Sequence, residues 1–349
     1  MLQKGMDRGG DNLEHILTIP HRRARGMCPV NGIRDLIHWR SNRDWSNEFV
    51  HGLGQGGGFA YLRFNLADPP RQVYWGIASP RQHKYLAELL SADYTEYENR
   101  SFKFSWSKAR GAIDAGIPPV LGPLDMFYLP FYQDLYQRRH IPIHFLLLVG
   151  YDGEKAYVHD TDKEGVQTLS VGELESAWNV DVPGLGKRNR LAILDIPPNF
   201  ASTKDLIRTS ILDQCQTMLN PPVSMIGIPA MEKVAREIAQ WPQELGKDAA
   251  NHCLRQVREY LNSPPDIMGT HRTAGRDLYV AFLQEAGGML GLDFSKAVDR
   301  FREVIVTIPS LAEAIQQGRL ADAAVFFGRI AEKEKEAYTE LCRVVGGFE

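Results

Sequence analysis

The sequence predicts an α+β fold with a central antiparallel sheet, followed by an all-helical C-terminal domain. Three observations predict it. Aromatic and β-branched runs such as "GFAYLRFNL" and "QVYWGIA" alternate with helical segments over the first part of the chain. "HFLLLVGYDGEKAYVHDTD" reads as two strands folded back on each other, with turn chemistry at Asp152-Gly153-Glu154-Lys155. At "LDIPPNFASTKD" the texture changes, and no strand pattern remains after Pro198.

Each element has its own signal. "SPRQHKYLAELLSADY" and "SWSKARGAIDAG" are helical, and each opens on a serine able to cap free backbone N–H groups. "IPPVLGP" is a short strand flanked by prolines. Beyond the double proline, helices are expected near 203–219, 229–241, 247–262, 275–291, 293–306 and 319–343. In one of them Leu278, Phe282, Ala286 and Met289 recur three or four apart, as a single buried face requires. The domains are therefore expected at 1–198 and 199–349, with Pro197 and Pro198 as a stiff hinge.

Bulk properties exclude several functions. The 349 residues carry a net charge of −3, and basic and acidic residues balance in both halves, so charge does not imply nucleic acid. None of the four cysteines forms a CxxC pair, and no HExxH or Cys/His cluster argues for a metal. No disulfide framework is expected, which points to a reducing compartment. The N-terminus lacks a continuous apolar stretch of signal-peptide length, and no run approaches the ~20 apolar residues of a membrane helix. The expectation is a soluble, cytoplasmic protein with no membrane contact.

The chemistry centres on "HRRARGMCPVNGIRDLIHWR". Proline is tolerated in the first helical turn, so Pro29 marks a helix start and makes Cys28 the expected N-cap. Val30, Ile33 and Ile37 then share one face. A thiol there feels the positive end of the helix dipole, which favours the thiolate that acyl-transfer chemistry needs. A thiolate nucleophile wants an imidazole, and the imidazole an orienting acceptor. His144 immediately precedes the apolar run Phe145 to Val149, and Asp160 follows on the next strand of the hairpin. A buried cysteine and a satisfied core histidine are the plain alternatives.

Cysteine, then a strand-borne histidine, then an aspartate on the next strand resembles the papain-like cysteine fold. Two stretches, "NEFVHGLGQGGGFAYLRF" and "GIPPVLGPLDMFYLPFYQDLYQRRHIPIHFLLLVGYDGEKAYVHDTD", resemble the butirosin biosynthesis protein H family. The helical tail resembles that family's accompanying domain, most clearly at "GTHRTAGRDLYVAFLQEA". The resemblance implies a papain-like cysteine-enzyme domain in which Cys28 is the nucleophile, His144 the base and Asp160 the orienting residue. It also implies that Asp125 and Tyr128 line the pocket. The reaction implied is acyl transfer from a carrier-protein thioester, through a cysteine thioester, to an amine.

The chain departs from the family pattern at two places. Met27 stands where the family often has histidine before the cysteine, and Arg22 where papain-like enzymes usually have the oxyanion glutamine. The oxyanion donors expected instead are the Cys28 N–H with Arg22 or Asn31.

The partners expected are an acyl carrier protein or other acyl-thioester donor and a small amine acceptor. No cofactor is expected beyond the phosphopantetheine arm of a donor, and a homodimer is left open. "HRRAR" adjoins the nucleophile and "QRRH" adjoins His144, so Arg138 and Arg139 are expected to receive an anionic partner. An amidase or peptidase with the same triad, a non-catalytic scaffold and a self-cleaving N-terminal nucleophile hydrolase are the other readings. "GLGQGGG" lacks the strand before and helix after it of a nucleotide fingerprint, so its glycines are expected to let backbone pass close to the cysteine helix or a substrate. "GTHRTAGR" could form an anion nest or simply start a helix.

Overall fold

The computed structural model describes residues 15–24, 26–64, 66–262 and 273–346. In chain order, the elements begin with β1 (His15–Ile16), α1 (Cys28–Ser41), α2 (Asn47–Leu53), β2 (Phe59–Arg63) and β3 (Arg71–Trp75). There follow α3 (Ser79–Leu89), β4 (Asp93–Tyr97), α4 (Phe102–Asp114), β5 (Val120–Leu124), β6 (His144–Tyr151), β7 (Lys155–His159) and β8 (Val166–Ser170). Then come α5 (Val171–Trp178), β9 (Leu191–Asp195), α6 (Thr203–Leu219), α7 (Gly227–Glu237) and α8 (Trp241–Leu245). The last described elements are α9 (Lys247–Asn262), α10 (Arg276–Leu290), α11 (Ser295–Gln316) and α12 (Leu320–Val345). The fold is the α+β class expected, with an antiparallel sheet first and helices after Pro198. Among the described residues, no helix is long and apolar enough to cross a membrane.

The chain divides into two compact units, one of Met1–Val50 with Ala78–Ala201, the other of His51–Ile77 with Ser202–Glu349. The break after Ala201 lies close to the double proline. The assignment of residues 51–77 to the second unit differs from the expected division at 198. That segment carries the β2–β3 hairpin, so the second unit has two strands as well as helices.

In the first unit seven strands form one antiparallel sheet, ordered β4-β9-β5-β6-β7-β8, with β1 pairing on β6 outside that path. The β6 strand "HFLLLVGY" is buried along nearly its whole length, as a near-continuous apolar run at a sheet centre demands. Helix α1 lies against it through Val30, Ile33, Leu36 and Ile37, all essentially inaccessible. Each such side chain contributes roughly 1.5–3 kcal/mol of burial. The approach is close: a Cβ on Gly32 would stand 3.1 Å from Leu147 Cβ. Leu147 is paired with His159 on β7, so His159 faces the same side as α1.

Two serine caps fall elsewhere than expected. In α3 Ser79 is already helical and Ala78 occupies the cap without a side-chain bond. In α4 the cap is Ser101, whose Oγ accepts from Phe104 N–H; Ser105 is buried inside the helix. In both, the apolar periodicity begins after the backbone has already turned helical, so pattern alone places the start late, by four residues in α4 and by one in α3.

In the second unit the hairpin packs among aromatic rings. Trp75 stacks on Tyr260 and on Phe327, and Tyr61 on Trp241. Gln256 holds β3 as a neighbouring strand would, donating to Val73 C=O and accepting from Val73 N–H. The glycines of "GLGQGGG" serve this packing rather than an approach to α1: a Cβ on Gly52 would fall 2.0 Å from the Phe282 ring, and one on Gly57 2.5 Å from Tyr338 Oη. Helix α11 runs on through Pro309, well past the end at 306 that the periodicity suggests.

Candidate active site

Helix α1 begins at Cys28, with Pro29 in its first turn. The residue before it, not Cys28 itself, occupies the cap: Met27 is in the left-handed region at φ 55°, ψ 44°, and makes no side-chain cap bond. Gly26 is left-handed as well, at φ 63°. These two residues turn the chain sharply and deliver Cys28 as the first helical residue. First-turn N–H groups have no intrahelical acceptor, so the sulfur sits beside backbone donors and the positive end of the dipole. Cys28 is partly exposed, and its Sγ lies 3.8 Å from Ile143 C=O, immediately before His144.

His144 starts β6 and is buried, and Asp160 directly follows β7 and is fully buried. Alternation along the chain sends Asp160 to the side opposite His159, where its Oδ2 stands 2.7 Å from His144 Nε2. Cys28 also hydrogen-bonds the ring. Burial disfavours an imidazolium here, but the Asp160 carboxylate and the Cys28 sulfur outweigh it and hold the imidazole well above its ordinary range. Burial likewise pushes Asp160 up, and His144, with the hydrogen bonds from Asp162 N–H and Tyr132, overcomes it to leave the carboxyl below its usual range.

Tyr132 belongs to this site and has no sequence signal. Its hydroxyl is 2.8 Å from Asp160 Oδ1, 3.1 Å from Asp162 Oδ2 and 3.3 Å from His144 Nε2. Lys163 Nζ lies over its ring, 4.4 Å from the centroid. Burial and the two carboxylates push the phenol far up, so it remains a hydrogen-bond donor to them. Replacing Tyr132 with phenylalanine removes a bond to a charged carboxylate, worth about 1.5–3 kcal/mol, without changing the ring. The expected result is an about tenfold slower acylation of Cys28 with the fold intact. Intact-mass time courses and circular dichroism check it, and an unchanged rate refutes a positioning role.

The remaining candidates separate. Asp125 is buried, and its carboxylate is taken by Phe127 N–H, Ile141 N–H and His140 Nδ1 at 3.1, 2.8 and 2.6 Å. It clamps the two ends of the loop that carries Tyr132. Tyr128 lines an open cleft of about 490 Å³ with Phe127, Tyr136, Gln137, Gly172, Glu173 and Ser176. Arg22 does not turn to the sulfur: its guanidinium is bound to Asp44 and to Trp45 C=O. Asn31, one turn along α1, is buried with its Oδ1 unpartnered. Arg138 and Arg139 are exposed. Of "GTHRTAGR", residues 269–272 lie outside the described residues.

His83 fixes the helix start from below. Its Nε2 donates to Pro29 C=O at 2.7 Å and its Nδ1 accepts from Arg190 Nη2 at 3.3 Å. Burial, reinforced by Arg190, pulls this imidazole down to about 3, so it stays neutral. Cys215, Cys253 and Cys342 are buried in helices and unbridged.

Residues 27–161 match the family model for butirosin biosynthesis protein H, N-terminal. That stretch of the chain is similar to the family. The butirosin protein H match includes Cys28, Tyr132, His144 and Asp160. Residues 173–341 match a second model, a domain of unknown function, DUF4872. Its start within α5 means that the matches follow the chain and not the two spatial units. Among solved structures, one described as a C39-like peptidase from Bacillus anthracis is similar at 15% identity and a TM-score of 0.35, covering 52% of this chain and 96% of that one. No curated protein matches the chain.

Proposed function

We propose that this protein, similar over residues 27–161 to butirosin biosynthesis protein H, is a cysteine acyltransferase that takes an acyl group from a thioester and passes it to a small amine. The observation that carries the reading is the contact of a helix-start thiol with an imidazole that is itself held by a buried carboxylate. The resting pair is Cys28 thiolate and His144 imidazolium. The thiolate attacks the donor carbonyl, the donor C–S bond breaks, and His144 gives its proton to the departing thiolate. The amine then attacks the Cys28 thioester and its proton passes to His144. The amide leaves, and the thiolate–imidazolium pair is restored. Asp160 holds the ring, with Tyr132 holding Asp160. The Cys28 N–H and the Asn31 side chain are the oxyanion donors of this scheme.

The family's namesake is a biosynthesis protein, which supports bond formation over hydrolysis as the direction. The experiment is intact-mass spectrometry after incubation with acyl thioesters. The expected adduct forms on Cys28 and is discharged by an amine much faster than by water. Discharge by water alone makes the protein a hydrolase, and the absence of any adduct refutes an acyl-enzyme. For the donor, an acyl carrier protein with a phosphopantetheine arm is proposed to meet the exposed Arg138 and Arg139. Arg138→Glu with Arg139→Glu is expected to slow loading from the carrier by about tenfold at low salt, and to leave loading from a small free thioester unchanged. Equal rates for variant and parent with the carrier refute this docking face.

A further inference from the structure

A second cluster of titratable side chains lies in the first unit, outside the site described above. His21, Asp35 and His159 come from the segment after β1, from α1 and from the end of β7, and their side chains are 2–3% exposed. Their nearest ligand atoms all lie within 4.8 Å of one another. We propose that His21, Asp35 and His159 form a binding site for a first-row divalent metal ion of the zinc type.

The hydrogen bonds around the cluster carry the argument. Arg34 donates to Asp35 Oδ1 from Nε and Nη2, which leaves Oδ2 facing the two rings. His21 Nε2 donates to Lys163 C=O at 3.0 Å. In the neutral ring this fixes the tautomer with the Nδ1 lone pair inward, 2.6 Å from Asp35 Oδ2. Two acceptors that face each other need a cation between them. A proton on Nδ1 answers that pair, but it leaves His159. The Nδ1 of His159 is buried and has no well-aligned hydrogen-bond partner; the same Oδ2, which His21 already occupies, stands 3.4 Å away. An unpaired buried nitrogen is costly. A divalent ion satisfies all three atoms at once.

Two imidazole nitrogens and one carboxylate oxygen suit zinc, and outer bonds such as those from Arg34 and to Lys163 commonly orient such ligands. The ligands are separated by 14 residues between His21 and Asp35, and His159 lies far beyond, so no spacing motif in the sequence reveals them. A metal here ties the segment at 21, the cysteine helix and the strand end that carries Asp160 into one joint.

The test uses the full chain, stripped with a chelator and then titrated with zinc alone, with bound metal measured by mass spectrometry of the elements. One equivalent is expected to be retained at about micromolar free zinc, with a rise in melting temperature. His159→Gln is expected to lower zinc affinity by more than about tenfold. His252→Gln, at an exposed histidine of the other unit, and Cys28→Ser are expected to retain it. Cobalt in place of zinc keeps the proposal testable where His159→Gln does not fold. Visible absorption without a thiolate charge-transfer band supports the site, while a thiolate band, or loss of binding in Cys28→Ser, places the metal at the nucleophile and overturns it. No retained metal assigns the cluster to a proton and also overturns it.

Discussion

Glutamine in place of His144 is expected to slow alkylation of Cys28 at pH 6 by one to two orders of magnitude, about the gain an ion pair gives over a free thiol. An ordinary thiol with a pKa near ~8.5 is only about 0.3% thiolate at that pH. In this site burial works against an imidazolium, yet Asp160 and the sulfur raise the ring well above its ordinary range, which favours a positive charge beside the sulfur in mild acid. The sign follows from linkage. A histidine raised on folding contributes stability that is complete below its unfolded value near ~6.5 and is lost as pH climbs through the raised folded value. Reactivity due to the pair is therefore present in mild acid, and His144→Gln removes it there. At pH 9, where a free thiol ionises unaided, variant and parent are expected to differ only severalfold. Iodoacetamide rates at both pH values check this, and a His144→Gln profile identical to the parent's refutes the ion pair. Cys28→Ala is expected to abolish acyl-adduct formation and to lower turnover by at least about 10⁴-fold.

The largest stability effect is expected in the second unit, at Arg276 and Glu334. Both side chains are wholly buried. Arg276 Nε and Nη2 reach the two carboxylate oxygens at 2.7 and 2.9 Å, and Nη2 also reaches Gly58 C=O at 3.1 Å. The charges neutralise each other, and the fork geometry satisfies both carboxylate oxygens. Glu334→Gln leaves the guanidinium buried without a counter-charge and is expected to cost about 3–5 kcal/mol. Replacing both residues by apolar ones, Arg276→Met with Glu334→Leu, is expected to recover most of that loss, because both desolvation costs vanish together. Urea unfolding followed by circular dichroism reads both variants. A loss below about 1 kcal/mol for Glu334→Gln would mean that water reaches the pair.

The meeting of Cys28, His144 and Asp160 was legible because each sits at a punctuation mark. Proline announces a helix start at Cys28, an apolar run announces a strand at His144, and a tight turn brings Asp160 back beside it. Tyr132 was not legible. It lies in a loop with tyrosines at 128 and 136, and nothing local distinguishes the one that reaches a carboxylate. The bracing contacts of Asp125 were not legible for a related reason. A buried aspartate that braces a loop and one that faces a pocket look alike until the N–H groups it accepts from are seen. The exposed strand β4, "DYTEY", hid in the tail of a helical segment because its alternation is short and polar. Periodicity also said nothing about residues 51–77. Their place is set by Phe282, Tyr338, Tyr260 and Trp241, which lie far along the chain.

That borrowed hairpin governs how the protein can be cut. A fragment beginning at Ser202 would lack β2 and β3, leaving Trp241, Tyr260 and Phe327 with no rings to cover them and Gln256 with no strand to grip. Such a fragment should be sticky and poorly folded on its own, and a separately supplied peptide spanning residues 51–77 should rescue it. During synthesis the ribosome makes the hairpin well before its helical hosts, so the nascent chain must carry an unsheltered aromatic ribbon until they emerge.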